Sequence, residues 1–187
     1  WIQEAKRRGL SNINNVPEAL SAYARPEYVR LLDDLDVLTP RELEGRMEVE
    51  YEKFIKKVQI ESRVLGDVAI NHIVPVAIRY MTMLLENVKN LKEVFSESEF
   101  EEMASGRKAL IREISAHISA IKSMVNDMTE ARKEANAIEH SIEKAKAYDQ
   151  KVLPYLNEIR YHIDKLELTV DNEMWPLPKY RELLFIR

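Results

Sequence analysis

The sequence predicts an all-α protein, an elongated three- to four-helix bundle of long, proline-kinked antiparallel helices. Composition is the first reason, because only 4 of 187 residues are glycine and charged residues make up 32%, a balance typical of helices. Periodicity is the second reason, because apolar side chains recur three and four residues apart along two stretches, about 40–95 and 110–170. Such a spacing gives each helix one apolar stripe that must be buried against a neighbour.

Charge and cysteine content narrow the function classes. The formal charge of -4 gives no electrostatic reason to bind nucleic acid or an anionic membrane surface. The chain has no cysteine, which fits a reducing cytoplasm and leaves out disulfides and thiolate metal sites. No apolar run reaches ~18 residues, so we expect no membrane span. We therefore predict a cytoplasmic protein with neither nucleic acid nor membrane among its partners.

We expect one domain in three parts: short helices and a connector over 1–39, a long-helix bundle over 40–172, and a proline-containing docking tail over 173–187. The first residues, from Trp1, have the pattern of a helix already under way, with Gly9 in the position of a helix C′ residue. We therefore expect the chain to be cut from a longer protein.

Prolines and capping residues predict where the helices begin. Pro17 and Pro26 suit the first turns of two short helices. Thr39 and Glu42, with Pro40 between them, form a capping-box signal for the helix that follows.

The first long helix should run from about 40 to 95, and Pro75 must kink or interrupt it. A second start follows at Ser96, with Glu99 three residues on. The stretch 97–172 is compatible with two helices or three. Pro154 should force a kink or a new helix start near Tyr148 and Asp149.

The tail begins with Trp175-Pro-Leu-Pro, which should be extended because the residue before a proline avoids the α region.

The histidines are candidates for chemistry, and each has a structural interpretation that we favour. His72 and His117 lie on apolar stripes and are predicted to be core residues. His140 lies in a charged stretch and should be solvated. His162 follows Glu158 by four residues, which is typical of a surface pair.

Known catalytic motifs are missing from the sequence. A di-iron bundle needs Glu-x-x-His, and no histidine has glutamate three residues before it. The glycine-rich phosphate loops, Gly-x-Ser-x-Gly and His-Glu-x-x-His are also absent. We predict no catalytic, cofactor-binding or metal-binding residue in this chain.

The predicted helix over 40–95 has apolar residues outside its main apolar stripe. A second set of apolar residues between 64 and 85 faces away from the stripe, and a helix that is apolar all round must be buried all round. These residues, together with three in the tail, are the predicted interface and docking residues: Val64, Ile70, Val74, Ile78, Met81, Leu85, Trp175, Leu177 and Tyr180.

Several segments together resemble the C-terminal region of type III glutamine synthetases. They are EAKRRGL (4–10), VPEAL (16–20), EVEYEKFIKKVQIESR (48–63), INHIVPVAIRY (70–80) and WPLPKYRELLF (175–185). They occur in the family's order, whereas the region from about 97 to 150 matches only in helical character.

The resemblance implies a parent enzyme that makes glutamine from glutamate and ammonia with ATP and Mg²⁺ or Mn²⁺, and that assembles as a double ring. The family's metal-binding carboxylates and ATP segment lie in a preceding catalytic part, so no catalytic residue transfers to this chain. Here we expect a structural, assembly or regulatory role, with the catalytic part of the same chain and neighbouring subunits as partners. The alternative from another class is a free-standing helical scaffold or adaptor that binds partner helices.

Overall fold

The predicted all-α class is confirmed by a computed structural model, which describes residues 1–184 except for the side chains of Tyr180 and Arg181. Within these residues there is no β-strand. The helices are α1 (Ile2–Arg7), α2 (Val16–Ser21), α3 (Pro26–Asp34), α4 (Pro40–Val68), α5 (Val74–Val94), α6 (Glu97–Asn136), α7 (Ser141–Ala147), α8 (Leu153–Thr169) and α9 (Tyr180–Leu183).

A glutamate side chain caps both predicted helix starts, and the Thr39–Glu42 pair forms the complete capping box. The Thr39 backbone N–H donates to Glu42 Oε2 at 2.9 Å, and the Glu42 N–H donates back to Thr39 Oγ1 at 3.3 Å. At the start of α6 the Ser96 backbone N–H donates to Glu99 Oε2 at 3.1 Å. These bonds satisfy amides that the first turn of a helix leaves without partners. They also lower the pKa of both glutamates, chiefly through the backbone bond at Glu42 and the Ser96 hydroxyl bond at Glu99.

Replacing Thr39 with Ala should lower the free energy of unfolding by about 1 kcal/mol, because it removes the hydroxyl that caps the Glu42 amide. Urea unfolding followed by circular dichroism measures the change. Thr169→Ala is the control, since the Thr169 hydroxyl bonds to the Lys165 carbonyl inside α8 and caps no helix start. Equal losses in the two variants would contradict a capping role for Thr39.

The N-terminal helices follow the proline and glycine signals. Pro17 and Pro26 lie in the first turns of α2 and α3, as predicted. Gly9 has a φ of 71° at the end of α1, and its N–H donates to the Lys6 carbonyl at 3.1 Å. The Leu10 N–H reaches the Ala5 carbonyl at 2.8 Å, which completes a Schellman cap.

Pro75 and Pro154 interrupt their helices in the same way. Each lies two residues after the end of a five-residue π-helical segment, Ala69–Ile73 before Pro75 and Tyr148–Val152 before Pro154. The N–H just before each proline bonds five residues back, Val74 to the Ala69 carbonyl and Leu153 to the Tyr148 carbonyl. A wider turn accommodates a proline because its ring clashes with the carbonyl four residues earlier in an α-helix.

The stretch 97–172, left open by the sequence, holds one long helix and a second interrupted one. Helix α6 ends at Asn136, and residues 137–140 break the apolar stripe that seemed continuous. Helix α7, the π segment and α8 then follow without a gap.

The chain divides into two compact units. Unit 1 comprises 1–61 and 130–154, and unit 2 comprises 62–129 and 155–187. This division cuts through the long helices, and the predicted three-part division at 39 and 172 stays a prediction.

Unit 1 buries two tyrosines whose hydroxyls have partners. Tyr51 Oη lies 3.1 Å from Ser21 Oγ, and Tyr148 Oη donates to Asn136 Oδ1 at 2.7 Å. A buried phenol needs such a partner. These bonds join α4 to α2, and the π segment to the end of α6.

Unit 2 is built around a close approach of α4 to α6. A Cβ on Gly66 would lie 3.4 Å from Val125 Cγ1 and 3.5 Å from Met128 Cε. The buried positions at the end of α4 and the start of the π segment are small, namely Ser62, Gly66 and Ala69. The larger core residues of the unit are Ile73, Ile114, Ile121, Ile159 and Leu166.

Candidate functional site

Unit 2 has a candidate interaction surface made of apolar residues that point away from its core. On α5 the residues Val74, Ile78, Met81 and Leu85 recur at helical spacing and therefore share one face. Ile78 is 44% exposed and Leu85 48% exposed, while Val74 and Met81 are half-buried. Upstream, Val64 is exposed and Ile70 is half-buried. We call these six residues the apolar face; within unit 2 it has no complete cover.

The hydropathy of the same region also indicates apolar surface that the chain leaves exposed. In the described part of the chain, the run Pro40–Val94 contains an 18-residue window with mean hydropathy 1.5, enough by length and composition to cross a membrane. Only 28% of that window is buried. The expected absence of a membrane span therefore stays a prediction, and an interface with another protein surface accounts equally for exposed apolar side chains.

His72 is exposed, so the prediction that it is a core residue was wrong. The reason is that the buried stripe runs through Gly66, Ala69 and Ile73, one position from the stripe that large apolar side chains suggested. Small residues bring α4 close to its neighbour, and a search for large apolar residues overlooks them. Beside His72, Asn71 Nδ2 donates to Asp67 Oδ1 at 2.5 Å, also on the exposed side.

Two other histidines meet in unit 2. His117 Nδ1 on α6 lies 2.8 Å from His162 Nδ1 on α8, and both residues are half-buried. The predicted surface pair of His162 with Glu158 is thus secondary to a contact with another histidine. The pair was missed because its members are 45 residues apart. His140 is exposed, as predicted.

The tail contributes a buried tryptophan and a buried lysine. Trp175 is 7% exposed, and its indole N–H has no hydrogen-bond partner among the described residues. The Lys179 ammonium lies 5.5 Å from the Trp175 ring centroid and donates to the carbonyls of Glu167 at 2.5 Å and Val170 at 3.2 Å. Lysine therefore caps the end of α8 and holds the tail against it. No local pattern in the sequence indicates this role of Lys179, because the two carbonyls it binds lie 9 and 12 residues away.

The other predicted tail residues differ from Trp175. Leu177 is 39% exposed and lies in the non-helical stretch before α9. Tyr180 begins α9, and its side chain lies outside the described residues. The first predicted docking residue of the tail is thus buried within unit 2, and the second is available to a partner.

Unit 1 also presents apolar side chains to solvent. Helix α3 has no buried residue, and Tyr28 and Leu31 on it are exposed, as are Leu35 and Val37 just after it.

Unit 1 also has an open cleft of about 660 Å³ between α4 and the 136–141 segment, lined by both acidic and basic side chains. Burial and the charge of Glu18 raise the pKa of Asp149 in the same unit.

Histidine, aspartate and glutamate side chains do not gather into a metal centre in the region 1–184: no group of three or more is close enough to hold an ion. The described residues thus offer interaction surfaces and a histidine pair.

The family profile and the three relatives that match this chain are all described as glutamine synthetases. The family profile described as "Glutamine synthetase C-terminal domain" matches residues 1–92. The whole chain is 58% identical to a glutamine synthetase of Bacteroides fragilis and 30% identical to a type-3 glutamine synthetase of Dictyostelium discoideum. A glutamine synthetase of Butyrivibrio fibrisolvens is 21% identical over 99% of the chain. The chain spans only 26%, 25% and 26% of these relatives, respectively.

Proposed function

Because the chain belongs to the glutamine synthetase family, whose C-terminal region it matches, we propose that it is the helical C-terminal part of an ATP-dependent glutamate–ammonia ligase. Its role there is structural, in assembly or in regulation, and it has no active site of its own. The similarity to the glutamine synthetase of Bacteroides fragilis extends over all 187 residues of this chain, which supports the proposal.

The observation that carries the structural role is the apolar face. Ile78 and Leu85 are each more than two-fifths exposed, although burying a leucine or isoleucine side chain fully is worth about 1.5–3 kcal/mol. A surface of this kind favours a protein partner. The relatives carry about three quarters of their length outside the matched region, and the proposed partner is that remaining part of the same protein, in the same or a neighbouring subunit of a homo-oligomer.

The chemistry belongs to the part of the protein that precedes this one. There the parent would bind ATP and Mg²⁺ or Mn²⁺ and join ammonia to the side-chain carboxylate of glutamate. We place the parent in the cytoplasm. In this chain the same proposal assigns no residue to nucleotide, metal or substrate.

The purified 187-residue chain should be strongly helical by circular dichroism and should form no glutamine from glutamate, ammonia and ATP with Mg²⁺ or Mn²⁺. The physical reason is that the described residues contain no cluster of three or more histidine, aspartate or glutamate side chains able to hold the metal of such a reaction. Glutamine is measured by mass spectrometry, with the complete protein encoded by the same reading frame as the positive control. Turnover by the purified chain would overturn the proposal, as would a complete protein that lacks ligase activity.

A further inference from the structure

The contact between His117 and His162 has a chemical requirement of its own. The two Nδ1 atoms are 2.8 Å apart, a hydrogen-bonding distance, so one nitrogen must carry a proton and the other must accept it. The ring centroids are 5.1 Å apart and the planes are tilted by 57°, so the rings meet through these nitrogens rather than by stacking. One histidine is therefore the Nδ1–H tautomer and the other the Nε2–H tautomer.

We propose that His117 and His162 form a proton-sharing latch between α6 and α8, closed with at most one added proton and opened when both rings are protonated. One extra proton leaves an imidazolium that donates to a neutral imidazole, which strengthens the bond. A second extra proton leaves two donors, two positive charges and no acceptor at the same contact. The rings must then separate.

The carboxylates around the pair are too weakly coupled to it to offset the repulsion between two protonated rings. Glu113, on the helix of His117, lies 3.9 Å from His117 Nε2, and Glu158 acts on His162 from its own helix. The Tyr161 ring lies edge-on to His162 at a centroid distance of 5.2 Å. The Glu113 carboxylate is more than half exposed, so water screens its attraction for a protonated ring.

The direction of the pKa shift agrees with the geometry. Burial is the larger cause that lowers the pKa of His162, the charge of His117 adds to it, and Glu158 opposes both. The unfolded chain, with an ordinary histidine pKa of ~6.5, then binds the second proton of the pair more readily than the folded chain does. Stability is thus present above pH ~6.5 and is lost as the pH falls below it, towards the lowered value.

A shared metal ion is the competing explanation, and the distance argues against it. Two imidazole nitrogens bound to one tetrahedral zinc at about 2.0–2.1 Å would lie roughly 3.3 Å apart. The observed separation is shorter. The pair also lacks a third ligand among the described residues.

Nitrogen-15 NMR of the imidazole rings in the full 187-residue chain tests the latch directly. At pH 8 one ring of the pair should show the Nδ1–H tautomer and the other the Nε2–H tautomer, with a coupled two-step titration. Two Nε2–H rings titrating independently would overturn the proposal, and this measurement requires no variant to fold.

Thermal unfolding between pH 8 and pH 5 tests its effect on stability. The wild-type chain and the exposed-histidine control His72→Gln should lose about 3 °C more than His117→Gln, in which a neutral amide replaces one titrating ring. Equal losses in all three proteins would overturn the proposal. So would a rise in the midpoint with added Zn²⁺ at pH 7 that disappears in His117→Gln, because that result would identify a metal site instead.

Discussion

Replacing Trp175 with Ala is expected to lower the free energy of unfolding by about 3 kcal/mol, the largest loss from a single substitution in the tail. Removing a buried tryptophan usually costs 3–5 kcal/mol. The lower end applies because no described residue accepts a hydrogen bond from the indole N–H, so its removal also relieves an unsatisfied donor. Lys179 would lose the aromatic face beneath its ammonium as well.

Urea unfolding followed by far-ultraviolet circular dichroism measures this change, and limited proteolysis shows whether the tail is released. The control is Leu177→Ala, which should cost under about 1 kcal/mol because Leu177 is 39% exposed. An unchanged unfolding midpoint together with unchanged protease resistance in Trp175→Ala would show that the tail does not depend on this anchor.

The double substitution Ile78→Asp and Leu85→Asp should leave the 187-residue chain folded and disrupt the complete protein. In the chain alone both side chains are already about half exposed, so we expect a loss of only about 1–2 kcal/mol for each. In the complete protein two carboxylates would be buried in the proposed apolar interface, at a cost of several kcal/mol. Since about 1.4 kcal/mol is a factor of ten, the assembled form should fall at least tenfold.

Analytical ultracentrifugation of the complete protein measures its assembly, and glutamine formation reports whether the active sites survive. Met83→Asp is the matched control, because Met83 is 55% exposed on the same helix but lies off the apolar face. If the double variant assembled and reacted like Met83→Asp, the apolar face would not be an interface. If both variants failed equally, the interface would extend around the helix.

Features set by neighbouring residues in the chain could be predicted from the sequence. The Thr39–Glu42 capping box needs only residues three apart, and it forms as expected. The interruption before Pro75 follows from the missing N–H and the ring of proline alone. Its form, a π-helical segment, could not be predicted, because kinks, breaks and wide turns all satisfy the same constraint.

Features that depend on distant packing could not be predicted. His72 was expected to be buried because large apolar residues outline a stripe, whereas the end of α4 and the following π segment pack through Gly66 and Ala69. The partner of His162 lies on another helix, and no local spacing identifies it. Trp175 was predicted as an anchor from its rigid, proline-flanked context, and its burial within unit 2 fits that prediction, while docking to a partner stays a proposal.

The two π-helical segments also affect how the long helices move. The Val74 N–H bonds to Ala69 and Pro75 has no N–H, so the Ile70 carbonyl has neither an α-helical nor a π-helical donor. The same reasoning applies to the Asp149 carbonyl before Pro154. Water can compete for such carbonyls, and local opening there costs less than global unfolding. Amide hydrogen exchange in these helices should therefore begin at interior turns as well as at the frayed ends, which gives each helix a built-in flexible joint.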